Sequence, residues 1–227
     1  MRLTNRSFVL LLALVGTVLV YATGQIAPAD SEYQAQMRIW LAARATGIAA
    51  LVLLTAQVFL GLMMSHPTNS TVWRLSKRIF PWHENLLVFT LALLVLHIVG
   101  ILLDPYAGVS VAGAFVPGLS SFRSVPVALG TLGLYALAIT SLTARYTRLL
   151  PSGVWLKLHR LSLVVLILAW THGLTAGTDS APLQPVYLGS AGLIIAAATH
   201  RYWVTRRARV ASHRPVLVPA TIGRTER

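Results

Sequence analysis

The chain has 227 residues, of which 56% are hydrophobic and only 11% are Asp, Glu, Lys or Arg, with a formal net charge of +13 and no cysteine. Soluble domains devote about a quarter of their residues to charged side chains, so this composition excludes an ordinary soluble fold and predicts an all-α protein embedded in a lipid bilayer. The cation excess does not imply nucleic acid, because the apolar runs leave no basic face for a duplex, and the lack of cysteine excludes disulfides, iron–sulfur clusters and thioether-linked haem within the chain.

A membrane-spanning helix needs about 20 mainly apolar residues to cross roughly 30 Å of hydrocarbon. Taken in chain order, such runs cover residues 7–24, 39–64, 83–103, 125–144, 159–176 and 183–203, which predicts a six-helix bundle. The first run follows Arg2 and Arg6 and precedes Ala27-Pro28-Ala29, so it reads as a retained helix or as a cleavable signal peptide. Residues 1–38 thus form an N-terminal span and loop, 39–203 the main transmembrane domain and 204–227 a basic tail suited to anionic lipid. The connection from Asp104 to Arg123 is the longest between clear spans, and predicts a docking surface for something outside.

Cytoplasmic connections are enriched in Lys and Arg, which fixes the expected orientation. Sixteen of the nineteen cationic residues fall on one side: Arg2 and Arg6, the cluster Arg74, Lys77 and Arg78, the cluster Arg145, Arg148, Lys157 and Arg160, and seven arginines from Arg201 onward. Only Arg38, Arg44 and Arg123 fall on the other. Both termini are therefore expected in the cytoplasm, in a multi-pass protein of the cell membrane.

Ionisable residues inside spans are costly and mark function. His66, His200 and His213 lie at span ends or in the tail, whereas His83 and His97 share the third span and His159 and His172 the fifth. Both spans run outward and are thus parallel. His97 follows His83 by fourteen residues, about 21 Å of rise with an angular offset of about 40°, so the two share a face. His172 follows His159 by thirteen, about 19.5 Å of rise but an offset near 140° on an ideal helix, a misfit the sequence alone does not resolve. The matched rises predict that His83 faces His159 near the inner leaflet and His97 faces His172 near the outer one. Two imidazoles approaching from opposite sides are the axial ligation of a six-coordinate b-type haem, so two non-covalent b haems are expected. The other reading of the histidines is a six-span transporter or scaffold that binds a metal ion or relays protons. Arg44, about six residues into the second span, either neutralises the propionates of the outer haem or snorkels to the interface. Arg123 reads as a solvated loop charge.

The runs WLKLHRLSLVVLILAWTHGLTAGTD (155–179), HENLLVFTLALLVLHIVGILLDPY (83–106) and ALGTLGLYALAITSLTARYTRLL (128–150) resemble the ferric reductase-like transmembrane domain. That family includes the membrane halves of ferric reductases and NADPH oxidases and the haem-binding subunit of the periplasmic methionine sulfoxide reductase system. The resemblance covers roughly residues 40–203 and implies a six-helix bundle with His83, His159, His97 and His172 as haem ligands. No GxGxxG fingerprint follows the last span. The resemblance therefore implies an electron-transfer component fed by a separate cytoplasmic flavoprotein or by a quinol, with any flavin or quinone held by a partner or at the inner face. The expected acceptor lies outside: a partner oxidoreductase, ferric iron or oxygen.

Overall fold

The computed structural model describes residue 10 and residues 30–64, 70–151, 153–177 and 181–212, and every regular element among them is helical. Helix α1 spans Glu32–Met64, α2 Ser70–Leu103, α3 Val111–Phe115, α4 Ser124–Arg145, α5 Val154–His159, α6 Ser162–Ala176 and α7 Gln184–Ser212, with a 3₁₀ turn at Thr147–Leu149. Four segments are long and apolar enough to cross a membrane: Glu32–Met64, Ser76–Leu103, Ser124–Arg145 and the α5–α6 unit Val154–Ala176. Apolar side chains cover these helices on all sides, with Val95, Val99, Leu132, Ile139 and Ile167 exposed on the bundle surface. A helix hydrophobic all round fits hydrocarbon and not water, and the protein is a membrane protein on that ground.

The expected run 183–203 is helical within α7 but is not among those four. Its apolar stretch is short, closed by Gln184 and Pro185 at one end and by His200 and Arg201 at the other. The expected run 7–24 lies outside the described residues, apart from Leu10. Prolines within the helices sit where their missing N–H costs least: Pro126 and Pro185 fall in first turns. Pro81 is the exception, inside α2 two residues before His83.

Helices α1 and α2 form the most extensive interface, followed by α4 with α6. Close approach at the first is allowed by Gly100, where a Cβ would stand 2.8 Å from the Ala43 Cβ. The central core joins α1, α4, α6 and α7 through Leu51, Leu54, Val58, Leu62, Leu137, Val165, Leu166 and Tyr187. Loop 104–123 is more ordered than its sequence suggests. Ser110 caps α3 by accepting from the Gly113 N–H at 3.0 Å, and α4 holds the loop down: the Thr131 hydroxyl donates to the Ala114 carbonyl at 2.8 Å, and Tyr135 donates to Phe115. Ala107 and Val109 from the same loop are buried with Trp40.

Candidate functional site

Each ring is brought to its partner by the relative direction of the helices. The ring centroids of His83 and His159 are 6.1 Å apart and those of His97 and His172 are 6.3 Å apart, with interplanar angles of 76° and 78°. The pairing order makes α2 parallel to the α5–α6 unit, as the spacing predicts. Two imidazoles bound to opposite sides of one metal ion, each about 2.0–2.1 Å from it, would place their ring centres about 6.3 Å apart. Both pairs stand close to that separation.

The thirteen-residue misfit has a physical cause. The helix is interrupted at Arg160 and Leu161, where the Leu161 N–H donates to the Leu158 carbonyl at 3.0 Å and the Leu163 N–H to the Arg160 carbonyl at 3.3 Å. These are i to i−3 bonds, and each residue wound in the 3₁₀ manner adds about 20° of turn and about 0.5 Å of rise over the α form. Thirteen α-helical positions fall about 100° short of fourteen, and this tightened stretch recovers part of that difference.

Three of the four histidines are docked in one way. The His97 Nδ1–H donates to the Ala43 carbonyl at 2.6 Å, that of His83 to Gln57 at 2.9 Å and that of His172 to Pro126 at 2.8 Å. A carbonyl only accepts, so Nδ1 carries the proton in each ring and Nε2 keeps the lone pair that a metal requires. Four residues after each acceptor stands a glycine against which the ring lies. A Cβ at Gly47 would come within 2.8 Å of the His97 ring, at Gly130 within 2.7 Å of the His172 ring, and at Gly61 within 3.4 Å of His83. The fourth histidine departs from this. The Thr140 backbone, four residues before Ala144, is the group beside His159, but the buried Nδ1 lacks the close, well-aligned hydrogen bond of the other three.

These positions form a fourteen-residue register that sequence reasoning missed: Gly47 to Gly61, His83 to His97 and Gly130 to Ala144. The signal that could have found it is the shared spacing of small residues in the second and fourth runs with the histidines of the third. Halfway along each interval lie Leu54, Thr90 and Leu137, and Val165 lies midway between His159 and His172; all four are buried, Thr90 and Val165 to 2% exposure. They form a packed layer separating the two imidazole pairs.

Above that layer, at the His97 end, is a cavity of about 200 Å³. Gly47, Gly130, His97, His172, Arg44 and Tyr187 line it, together with Trp40 and Phe122 and with Leu54, Thr90, Leu137 and Val165 of the packed layer. Tyr187, from α7, is a lining residue the sequence reading overlooked. Arg44 faces this cavity, with its guanidinium carbon 5.5 Å from the Trp40 ring centre. Trp40 in turn meets Tyr106 and Phe122 edge-on at 5.4 and 5.7 Å. Arg123 is exposed, as expected, yet tied down: it donates to the Thr175 and Gly177 carbonyls at 2.8 and 3.1 Å, where α6 ends. A cation at the carbonyl end of a helix is favourable. At the His83 end, Glu84 and Arg145 form an exposed ion pair at 3.8 Å linking α2 to α4, and Trp155 stacks obliquely on His159 at 6.1 Å.

Among the described residues no group of three or more His, Cys, Asp or Glu converges on one point. A bare zinc-like ion held by two imidazoles alone would lack half its ligands, whereas a metallomacrocycle brings four in-plane donors and asks the protein for two. The donor set and the glycine cradles fit that second class of group. The molecule is thus an all-helical membrane bundle carrying two facing pairs of imidazoles. In comparisons with known protein families, curated proteins and solved structures, the chain matches none.

Proposed function

We propose that this chain is a transmembrane b-type cytochrome of the ferric reductase-like kind, with six spans, both termini cytoplasmic, and two haems. His83 and His159 hold one haem, and His97 and His172 the other. When bound, each haem supplies a one-electron ferric–ferrous couple, which lets a bundle of apolar helices carry electrons across the membrane. The observation that carries this reading is the doubled separation of 6.1 and 6.3 Å between imidazoles whose Nε2 atoms are left available. Fourteen helical residues between the pairs span about 21 Å, most of the hydrocarbon thickness.

The residues of the chain bind and orient. Ala43, Gln57 and Pro126 fix the tautomer and direction of three rings through their carbonyls. Gly47 and Gly130 make room for rings that any side chain would displace. Arg44, at the cavity wall beside His97 and His172, neutralises propionate carboxylates there. The packed layer at Leu54, Thr90, Leu137 and Val165 keeps water out of the space between the pairs. The donor is a cytoplasmic flavoprotein or quinol and the acceptor lies outside, as a partner oxidoreductase, ferric iron or oxygen.

The test is vectorial transfer. Purified protein in liposomes, with an impermeant oxidant sealed inside and an impermeant reductant outside, is expected to reduce the enclosed oxidant. His97→Ala and His83→Ala are each expected to abolish this. Protein that contains both haems yet passes no electrons would overturn the electron-carrying role.

A further inference from the structure

The cavity beside His97 and His172 is mostly apolar, and most of its polar side chains already donate to the backbone. The Thr90 hydroxyl donates to Leu86 at 2.8 Å, the Thr131 hydroxyl to Ala114 and Val127 at 2.8 and 3.1 Å, and the Nδ1–H of each imidazole to a carbonyl. Tyr187 differs. Only 3% of its surface is exposed, yet among the described residues its hydroxyl makes no hydrogen bond. A buried phenol ordinarily finds a partner. Nor is the side chain loosely placed: the Trp170 indole N–H donates to the Tyr187 carbonyl at 3.0 Å, the two rings meet edge-on at 6.0 Å, and a Cβ at Gly173 would stand 3.0 Å from the hydroxyl oxygen. The hydroxyl is thus held against the residue that follows His172 in α6, where glycine leaves it room. Arg44 lines the same cavity from α1, close enough to Tyr187 for the two to act on each other electrostatically.

We propose that Tyr187 is a cofactor-binding residue of the His97–His172 site: its hydroxyl and the Arg44 guanidinium form a two-armed clamp on one propionate carboxylate. The proposal rests on the haem reading above and adds to it a second contact, from a different helix. A phenol O–H and a guanidinium are both donors, and a carboxylate offers about four lone-pair sites, so one anion satisfies both. A hydrogen bond to an ionised acceptor is stronger than one to a neutral group, which favours a carboxylate over a ketone or an ester at this place. The proton stays on the phenol. By donating to the propionate, the hydroxyl draws negative charge away from the surroundings of the iron, which favours the ferrous state at that site.

The experiment is Tyr187→Phe in the full chain, purified with its haems and titrated spectroelectrochemically. Phenylalanine keeps the ring against Trp170 and Gly173 and removes only the hydroxyl. The component lost in His97→Ala is expected to move to lower potential while the other stays in place. A second readout is the propionate carboxylate stretch in the redox difference infrared spectrum of protein whose haem carboxylates are isotopically labelled, expected to shift in Tyr187→Phe. Combined with Arg44→Leu, the two potential shifts are expected to be non-additive, because both donors act on one carboxylate. If both haems are present and the labelled band does not respond to Tyr187→Phe, or the two potential shifts simply add, the inference is overturned and the cytochrome reading stands. Equal movement of both potentials would also overturn it. Absence of b-type haem from the unsubstituted protein would remove both.

Discussion

The His97–His172 end and the His83–His159 end share one architecture and differ in tightness. At the first, both rings are hydrogen-bonded, both lie against glycines with no room for a methyl group, and a cavity of about 200 Å³ opens beside them, with Arg44 and Tyr187 on its walls. At the second, only the His83 ring has a close, well-aligned hydrogen bond, Gly61 leaves ordinary van der Waals space, and alanine already stands where the fourth glycine would be. The difference teaches that the histidines define where a site is, whereas small residues on the facing helices define how rigidly it is held.

The largest expected effects come from removing ligands. His97→Ala and His172→Ala should each delete the same haem, and His83→Ala and His159→Ala the other, as seen in reduced-minus-oxidised spectra; loss of different haems within a pair would break the pairing. Nearly as large is Gly130→Ala. Its Cβ would sit 2.7 Å from the His172 ring, so the ring must move; overpacking of this kind costs about 1–3 kcal/mol, and the haem at that end should be lost or high-spin while the other is kept. Gly61→Ala sharpens the contrast. A Cβ there meets His83 at 3.4 Å, and haem content should stay unchanged.

Much of this contrast was legible in the sequence. The four histidines, their near-equal spacing and their pairing followed from helical rise alone, because rise depends only on residue count. The angular misfit at His172 was visible but not its remedy, since the break at Arg160 and Leu161 carries no proline or glycine to announce it. Gly47, Gly61 and Gly130 were invisible as site residues: glycines are frequent in membrane helices for many reasons, and only the position of a ring against them reveals their use. Tyr187 was missed because it comes from α7, whose contribution to the cavity depends on tertiary packing.

Two smaller effects complete the series. Arg44→Leu should lower the potential of the His97–His172 haem, because a nearby positive charge favours the reduced form; an unchanged potential would place the guanidinium's charge outside that site. Arg123→Ala removes two hydrogen bonds to the end of α6 and should cost about 1 kcal/mol in thermal stability with both haem spectra intact.

The central claim is that this chain holds two b haems between facing imidazoles. Haem content of the purified full-length protein, measured as the pyridine haemochrome against protein concentration, tests it most directly. The account predicts two haems per chain, falling to one in His97→Ala and to one in His83→Ala. A ratio of zero in the unsubstituted protein, or two retained in either variant, would contradict it.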